Sequence, residues 1–237
     1  MRLAVKGLVD FVFPPECSIC GCPVDPACPH SLCPSCLSKI AFVLPPLCVR
    51  CGVPFSSPAQ ESHLCGRCLR GKILYRRARA LALFSGPMRT AIHAFKYENK
   101  TYLARALAGL TKESPVPFHI DRYDILVPVP LHKNRLRKRG YNQSLLLARE
   151  LGRLFAVPVG ERVLRKTRDS APQVELTGTE REKNVKGVFS LGRGRAEGAV
   201  LLVDDVLTTG ATVNECARTL LEGGARTVDV FTVARAV

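Results

Sequence analysis

The segment from Ala199 to Thr212 constrains the fold more than any other part of the chain. It begins with an apolar run, Val200 to Val203, which is typical of a strand buried on both faces. Two carboxylates follow, Asp204 and Asp205. A helix is predicted from Val213 to Leu221. Between the carboxylates and this helix lies a loop of hydroxyl-bearing and small residues, namely Thr208, Thr209, Gly210, Ala211 and Thr212.

A strand that runs through such a loop into a helix forms an anion-binding arrangement. Free backbone N–H groups and the positive end of the helix dipole converge in the loop, and Gly210 lets the backbone approach a phosphate closely. The two carboxylates are costly beside a phosphate unless they bind something else, and ribose hydroxyls or a magnesium ion fit them. The segment therefore predicts a site for a phosphorylated sugar; the alternative is a buried strand with a polar turn and a capped helix.

Ten of the eleven cysteines lie between residues 17 and 68. Eight of them form Cys-x-x-Cys pairs, the spacing at which a turn brings two thiolates to adjacent corners of a zinc tetrahedron: Cys17/Cys20, Cys33/Cys36, Cys48/Cys51 and Cys65/Cys68. We expect one or two structural Zn²⁺ ions and a module that depends on zinc for folding. Sequential pairing is favoured because Pro45-Pro46 breaks the link between the second and third pairs, while an interleaved cross-brace stays open.

Other roles for these cysteines fit the sequence less well. Disulfides are disfavoured in a chain without a signal peptide, which we expect to be cytoplasmic. A thioredoxin-like redox role for one pair would leave the other three unexplained. Cys22 and Cys28 are spare thiols that could replace a ligand, and Cys216 is expected to be a small buried hydrophobe.

The chain has 237 residues and a net charge of +15. Residues 1–70 contain six Lys/Arg and four Asp/Glu, so the rest carries +13. This excess favours anionic partners such as pyrophosphate, nucleotides or nucleic acid, although a basic surface that serves only solubility is the alternative. No apolar stretch is long enough to span a bilayer. We expect a short amphipathic helix in residues 1–16, a double zinc ribbon in 17–70 and the ligand-binding domain in 71–237.

Strands and helices alternate beyond the cysteine-rich module. This alternation predicts an α/β fold with a parallel sheet and a ligand crevice at the carboxyl ends of the strands. Besides the elements already named, helices are predicted at 86–95, 103–110 and 142–155, and strands at 78–84, 124–129, 162–165 (an edge strand) and 228–233.

A cation-rich stretch from Lys133 to Arg139 holds five cations and no acid. We predict that it forms a loop that binds a pyrophosphate or a DNA backbone; a solvated basic loop is the alternative. Asn142 is also a predicted N-cap. The candidate contacts in and after this stretch are Arg137, Arg139, Gly140, Asn142 and Gln143.

A long polar loop is predicted over residues 166–186, which show no periodicity. Such a loop could close over a bound diphosphate as a lid. Gln173 and Arg181 are the candidate ordered contacts, with hydrogen bonds inside the protein as the alternative role.

The string Val-Leu-Leu-Val-Asp-Asp-Val-Leu-Thr-Thr-Gly-Ala-Thr (200–212) resembles the phosphoribosyl-pyrophosphate (PRPP) signature of type I phosphoribosyltransferases. With the four Cys-x-x-Cys pairs, Phe95-Lys96-Tyr97 and Arg139-Gly140-Tyr141-Asn142-Gln143, in this order, the chain resembles the competence protein F family from about residue 14 onward. The resemblance implies a type I phosphoribosyltransferase fold, a central parallel sheet flanked by helices, with a small N-terminal four-cysteine zinc-ribbon module. By the match, Asp204 and Asp205 would contact the ribose hydroxyls of PRPP, Thr208 to Thr212 would hold its 5′-phosphate, and Lys96 would contact its diphosphate.

The family is linked to natural transformation, the handling of incoming single-stranded DNA, and three functions stay open. The first is an enzyme that transfers phosphoribosyl from PRPP, with Mg²⁺, to a nitrogen acceptor and releases pyrophosphate. No nucleobase-binding hood is visible after the last predicted strand; if the zinc module replaces the hood, we expect an unusual acceptor. The second is a non-catalytic single-stranded DNA-handling protein that uses the PRPP pocket as a phosphate clamp or sensor. The third is a scaffold that docks a helicase or another DNA-uptake factor. The oligomeric state is left open.

Overall fold

The computed structural model describes an N-terminal module followed by an α/β domain. It covers residues 15–25, 32–56, 61–169 and 185–237. Most of the predicted N-terminal helix, the spare thiol of Cys28 and the predicted lid contacts Gln173 and Arg181 lie outside these ranges.

The elements follow one another in an order that alternates strands with helices over most of the α/β domain. In chain order they are helices α1 (Pro34–Ser38) and α2 (Gly66–Arg70), strand β1 (Ala78–Leu83), helices α3 (Gly86–Tyr97) and α4 (Leu103–Gly109), short 3-10 helices at Leu110–Lys112 and Ile120–Arg122, strand β2 (Ile125–Pro128), helices α5 (Lys133–Arg139) and α6 (Gln143–Phe155), strands β3 (Leu164–Lys166), β4 (Phe189–Leu191) and β5 (Gly198–Leu207), helix α7 (Ala211–Glu222) and strand β6 (Ala225–Arg235).

The core of the domain is a four-stranded sheet in the order β1-β6-β5-β2. All three neighbouring pairs are parallel, as the alternation of strands and helices predicts. Helices cover both faces because successive side chains of a strand point to opposite sides. Leu201 and Val203 pack with α3, α4 and α6, whereas Val200 and Leu202 pack with α7.

Both outer edges of the sheet are covered by other segments. Along β1, the N–H of Val43 donates to the carbonyl of Leu81 (3.0 Å) and the N–H of Leu83 donates to the carbonyl of Ala41 (2.8 Å). Along β2, Leu126 makes two backbone hydrogen bonds with residues 158–160. Covered edges cannot pair with a second chain, and at β1 the cover is supplied by the N-terminal module.

A small hairpin replaces the predicted edge strand. β3 shares Leu164 and Arg165 with the predicted stretch 162–165. It pairs antiparallel with β4, which is not among the predicted strands, and the two form a separate sheet. The hairpin packs with α7 through Leu164 and Phe189.

The cation-rich stretch predicted to be a loop is a helix, α5, and that prediction is wrong. His132 caps its start, where Nδ1 accepts the N–H of Asn134 at 3.4 Å. Gly140 closes its end in the left-handed conformation, with φ +82°. Leu136 is the only apolar side chain in the helix, so no apolar period reveals it. Cations in its last turn lie near the negative end of the helix dipole, where they are favourable.

The N-terminal module is built onto the domain and has few regular elements. Leu32 and Ile40 belong to the same buried cluster as Met88 of α3. At the second ribbon, a Cβ on Gly52 would lie 2.5 Å from the carbonyl oxygen of Ala78, the first residue of β1. The module therefore lies against the sheet with backbone-to-backbone contact. Across the described ranges, no helix combines the length and apolar character that a membrane crossing needs.

Candidate functional site

The candidate site lies at the carboxyl end of β5. The sequence places the two aspartates after the strand, but pairing with β6 continues through them, with Asp204 opposite Thr232 and Val206 opposite Ala234. The carboxylates are therefore held by the sheet itself. Asp205 is buried, with 3% of its surface exposed, and Asp204 is half-buried.

The loop after β5 has the geometry of an anion cradle. Gly210 is in the left-handed conformation, φ +80°, and precedes the first residue of α7. The hydroxyl of Thr209 accepts the N–H of Ala211 at 3.4 Å. Among the described residues, the N–H of Gly210 meets no acceptor. A free N–H beside the positive end of a twelve-residue helix favours an anion there.

Asp204 accepts two hydrogen bonds at the start of this loop. The hydroxyl of Ser144 donates to its Oδ1 at 2.8 Å, and the N–H of Asp205 donates to the same oxygen at 3.0 Å. Burial and repulsion from Asp205 nevertheless raise the pKa of Asp204 to about 7, against the opposing effects of Lys96 and Ser144. The nearby positive charge is therefore too small to keep the pKa of Asp204 at its ordinary value.

One lysine faces the two carboxylates. Nζ of Lys96, from α3, lies 2.7 Å from Oδ1 of Asp205. Burial lowers the pKa of Lys96, but the attraction of Asp205 outweighs it and the pKa is raised. Oδ2 of Asp205 is buried and has no donor in the described part of the chain. Two carboxylates against one ammonium leave a site that a ligand with hydroxyl donors or a cation would complete.

Two distant motifs meet beside this lysine. The hydroxyl of Tyr141 donates to the carbonyl of Phe95, and the guanidinium of Arg139 lies 5.3 Å from the centre of the Tyr97 ring. The structure thus brings Phe95-Lys96-Tyr97 and the Arg139-Gly140-Tyr141 segment together, and these contacts fix the end of α3 that carries Lys96.

Of the other candidate contacts on and after α5, Arg139, Asn142 and Gln143 have partners within the protein. The predicted N-cap role of Asn142 is confirmed, since its side chain accepts the N–H of Ser144 at 3.0 Å. The same amide donates to the carbonyl of Val129 at 3.1 Å. Arg139 donates to Oε1 of the buried Gln143. Arg137 is exposed on α5, and it is not part of the group around Lys96.

Ser144 is a site residue that the sequence analysis misses. It is the second residue of α6, where a hydroxyl is ordinarily explained by helix capping. Nothing local in the sequence distinguishes a serine that caps a helix from one that reaches a carboxylate 60 positions away.

The eight paired cysteines form two groups of four thiols. Within each group all sulfur atoms lie within 4.8 Å of one another, and the groups join the first pair with the second and the third with the fourth. One sulfur–sulfur distance in each group, Cys20–Cys33 and Cys51–Cys65, is 3.7 Å. Tetrahedral Zn²⁺ with bonds of about 2.3 Å requires edges of about 3.8 Å. The geometry fits two zinc sites in sequential ribbons.

Backbone N–H groups stabilise thiolates in these groups. Burial raises the pKa of Cys48, but N–H donors including those of Cys65 and Cys51 outweigh it and lower the pKa to about 6. Thiolates are the form that binds zinc. Cys22 is not a member of the first group of four thiols, although its sulfur lies 3.3 Å from that of Cys20. Cys216 is a buried side chain on α7, as predicted.

Comparison with known proteins agrees with both halves of this description. Residues 8–69 match the double zinc ribbon domain and residues 142–236 match the phosphoribosyl transferase domain. Competence protein F of Haemophilus influenzae is 31% identical over 179 residues, 73% of this chain and 78% of that protein. DNA utilization protein YhgH of Shigella flexneri is 35% identical over 185 residues, 75% and 81% of the two chains. Competence protein ComFC of Bacillus subtilis is 32% identical over 169 residues, 70% and 68% of the two chains. The predicted fold class is confirmed.

We predict that the protein binds two zinc ions, one in each group of thiols. Cys48→Ser/Cys51→Ser removes half of the second group, so zinc content should fall to about one ion per chain. Cys22→Ser/Cys216→Ser removes as many thiols outside the groups and should leave zinc content unchanged. Elemental analysis of the purified variants measures this, and equal zinc loss in both double variants would contradict the assignment.

We predict that Asp204→Asn stabilises the ligand-free protein at pH 8 by several degrees and by clearly less at pH 5, because stability is lost between the ordinary pKa of 3.8 and the folded pKa of about 7. The pKa of Asp204 is raised from 3.8 to about 7 in the folded protein. The folded chain therefore binds this proton more tightly than the unfolded chain, and stability is lost as pH rises towards 7. Asparagine carries no charge and removes that loss. Thermal unfolding at both pH values measures the difference, with the exposed Asp121→Asn as control. A variant that is less stable than wild type at pH 8 would overturn the argument.

Proposed function

The chain belongs to the competence protein F family, which includes ComFC, and we propose that its phosphoribosyltransferase domain binds PRPP with Mg²⁺ and acts in the cytoplasm during DNA uptake. The names of the relatives, competence protein and DNA utilization protein, support the cellular role. The zinc ribbons in this proposal are structural.

The observation that carries the proposal is the charge arrangement at the end of β5. An anion cradle and two carboxylates stand next to each other. Lys96 forms a close ion pair with Asp205, and Lys166 attracts Asp204 only from farther away. A phosphate alone would be repelled by Asp204 and Asp205. PRPP satisfies both parts, because its 5′-phosphate suits the N–H groups of residues 208–212 and its ribose hydroxyls can donate to the carboxylates.

Phosphoribosyl transfer is the reaction that this arrangement supports. The bond between C1 of the ribose and the diphosphate oxygen breaks and its electron pair leaves on pyrophosphate. An acceptor nitrogen would form a bond to C1 and release its proton to solvent. Positive charge would develop on the ribose ring, and the carboxylates of Asp204 and Asp205, as the proposed contacts of the ribose, would stabilise it. Lys96 would attract the departing diphosphate, and bound Mg²⁺ would neutralise part of its charge.

A second function, binding of single-stranded DNA, is favoured by the surface around α5. The helix carries five cations and no acid. Tyr97 beside it is 65% exposed and lies under the guanidinium of Arg139. Cations bind phosphates, and exposed aromatic rings stack on bases in a way that tolerates any sequence. This surface adjoins the PRPP site through Lys96, so the pocket could serve as a phosphate clamp on DNA without catalysis.

We predict that PRPP with Mg²⁺ binds the zinc-loaded protein saturably. Asp204→Ala/Asp205→Ala should weaken binding at least about 100-fold, close to 3 kcal/mol, because the ribose loses its acceptors. Isothermal titration calorimetry measures the affinity, with Glu222→Gln at the far end of α7 as the control carboxylate. Absence of binding by the wild-type protein would reject the PRPP proposal and leave DNA or a docked helicase as the candidate partners.

We predict that DNA binding depends on α5 and tolerates loss of the carboxylates. Arg137→Glu/Lys138→Glu should weaken binding of a fluorescent single-stranded oligonucleotide about tenfold and reduce the slope of log affinity against log salt by about 1.4, since each lost phosphate contact contributes about 0.7. Arg193→Glu/Arg195→Glu, which makes the same charge change after β4, should have a smaller effect. Equal effects of the two double variants would show that only net charge matters and would reject an α5 binding surface.

A further inference from the structure

The second zinc ribbon reaches the phosphate loop through one arginine. Arg67 lies between Cys65 and Cys68 on α2, inside the last Cys-x-x-Cys pair. Its Nη1 donates to the carbonyl oxygen of Thr209, 142 positions along the chain. The four thiols of the second ribbon hold the backbone of Arg67 in place, and the hydrogen bond to Thr209 holds its guanidinium.

The hydrogen bond acts on a peptide unit that belongs to the cradle. The carbonyl of Thr209 and the N–H of Gly210 are part of the same planar unit, and in a trans peptide they point in opposite directions. When Arg67 holds the carbonyl towards the ribbon, the N–H of Gly210 is turned to the other side. That N–H has no acceptor among the described residues, and the conformation of Gly210 is one that few other residues adopt.

Neighbouring contacts brace the same region. The side chain of Asn214, in the first turn of α7, accepts the N–H of Leu74 at 2.7 Å and donates to the carbonyl of Lys72 at 3.1 Å. A Cβ on Gly210 would lie 3.2 Å from the hydroxyl oxygen of Tyr75, which is fully buried. The stretch that leaves the second ribbon therefore touches both the loop and the start of its helix.

The contact of Arg67 is not explained by stability alone. Its second terminal nitrogen, Nη2, is buried and has no partner in the part of the chain that the structure describes. A buried donor without an acceptor is destabilising, because it loses its hydrogen bonds to water and gains none in the protein. An arginine placed in this way therefore adds little to the stability of the fold. It does fix the orientation of the N–H of Gly210 in the anion-binding loop.

We propose that Arg67 is a positioning residue for the 5′-phosphate of the ligand, and that the second zinc ribbon is in this way part of the phosphate site. The inference rests on the proposed binding of PRPP. Arg67 keeps the peptide between Thr209 and Gly210 oriented so that its N–H faces the phosphate, and it does so without touching the diphosphate or the carboxylates.

The test compares Arg67→Ala, Arg67→Lys and, as a matched control, Arg70→Ala on the exposed side of the same helix. We expect Arg67→Ala to weaken PRPP·Mg²⁺ about tenfold, Arg67→Lys to recover part of the loss, and Arg70→Ala to change affinity less than about twofold. Zinc content should be the same in all three variants. In ³¹P nuclear magnetic resonance of saturated complexes, Arg67→Ala should move the 5′-phosphate resonance and leave the two diphosphate resonances in place.

The outcomes separate this inference from the function on which it rests. If wild-type protein does not bind PRPP, the proposed function fails. If wild-type protein binds but Arg67→Ala binds equally well, or if all three phosphorus resonances move together, the positioning role is overturned. If Arg67→Ala loses zinc, Arg67→Met decides the matter, because methionine keeps the bulk of the side chain but has no donor: a zinc-loaded methionine variant with unchanged affinity and resonances would also overturn it.

Discussion

Two adjacent carboxylates at the end of a buried strand face one lysine, and the rest of the site is arranged around that imbalance. The sheet holds Asp204 and Asp205 because pairing with β6 continues past them. Nζ of Lys96 lies 2.7 Å from Asp205 and compensates its negative charge. Asp204 receives only a neutral hydrogen bond from the hydroxyl of Ser144. In the proposed function, the remaining deficit of positive charge would favour a ligand with both a phosphate and hydroxyl groups over a plain anion.

The N-terminal module and the α/β domain form one structural unit. The module covers the edge of β1, and Arg235, the last residue of β6, donates from Nη1 to the carbonyl of Cys51 at 2.8 Å. The same guanidinium lies 3.8 Å from the sulfur of Cys51, so a cation from the sheet lies beside a group of thiolates that carries net negative charge with zinc bound. Zinc binding and sheet packing therefore stabilise each other at this point.

Features encoded within one short segment could be predicted from the sequence. The buried run, the carboxylates and the Gly-containing loop are consecutive between Val200 and Thr212. The break at Pro45-Pro46 favours sequential ribbons, the arrangement that the structure has. The contacts of Ser144 and Arg67 could not be predicted, because their partners are 60 and 142 positions away. Helix α5 was not predicted because capping residues mark its two ends and no apolar period runs through it.

The strand order also bears on how the protein emerges from the ribosome. β1 lies between residues 41–43 of the module, which are synthesised before it, and β6, which is synthesised after the other three strands of the sheet. During most of translation, β1 therefore has a partner on one side only, and an unpaired edge invites association with other nascent chains. If the module folds around zinc before β6 is synthesised, it would hold β1 in place until β6 pairs with it.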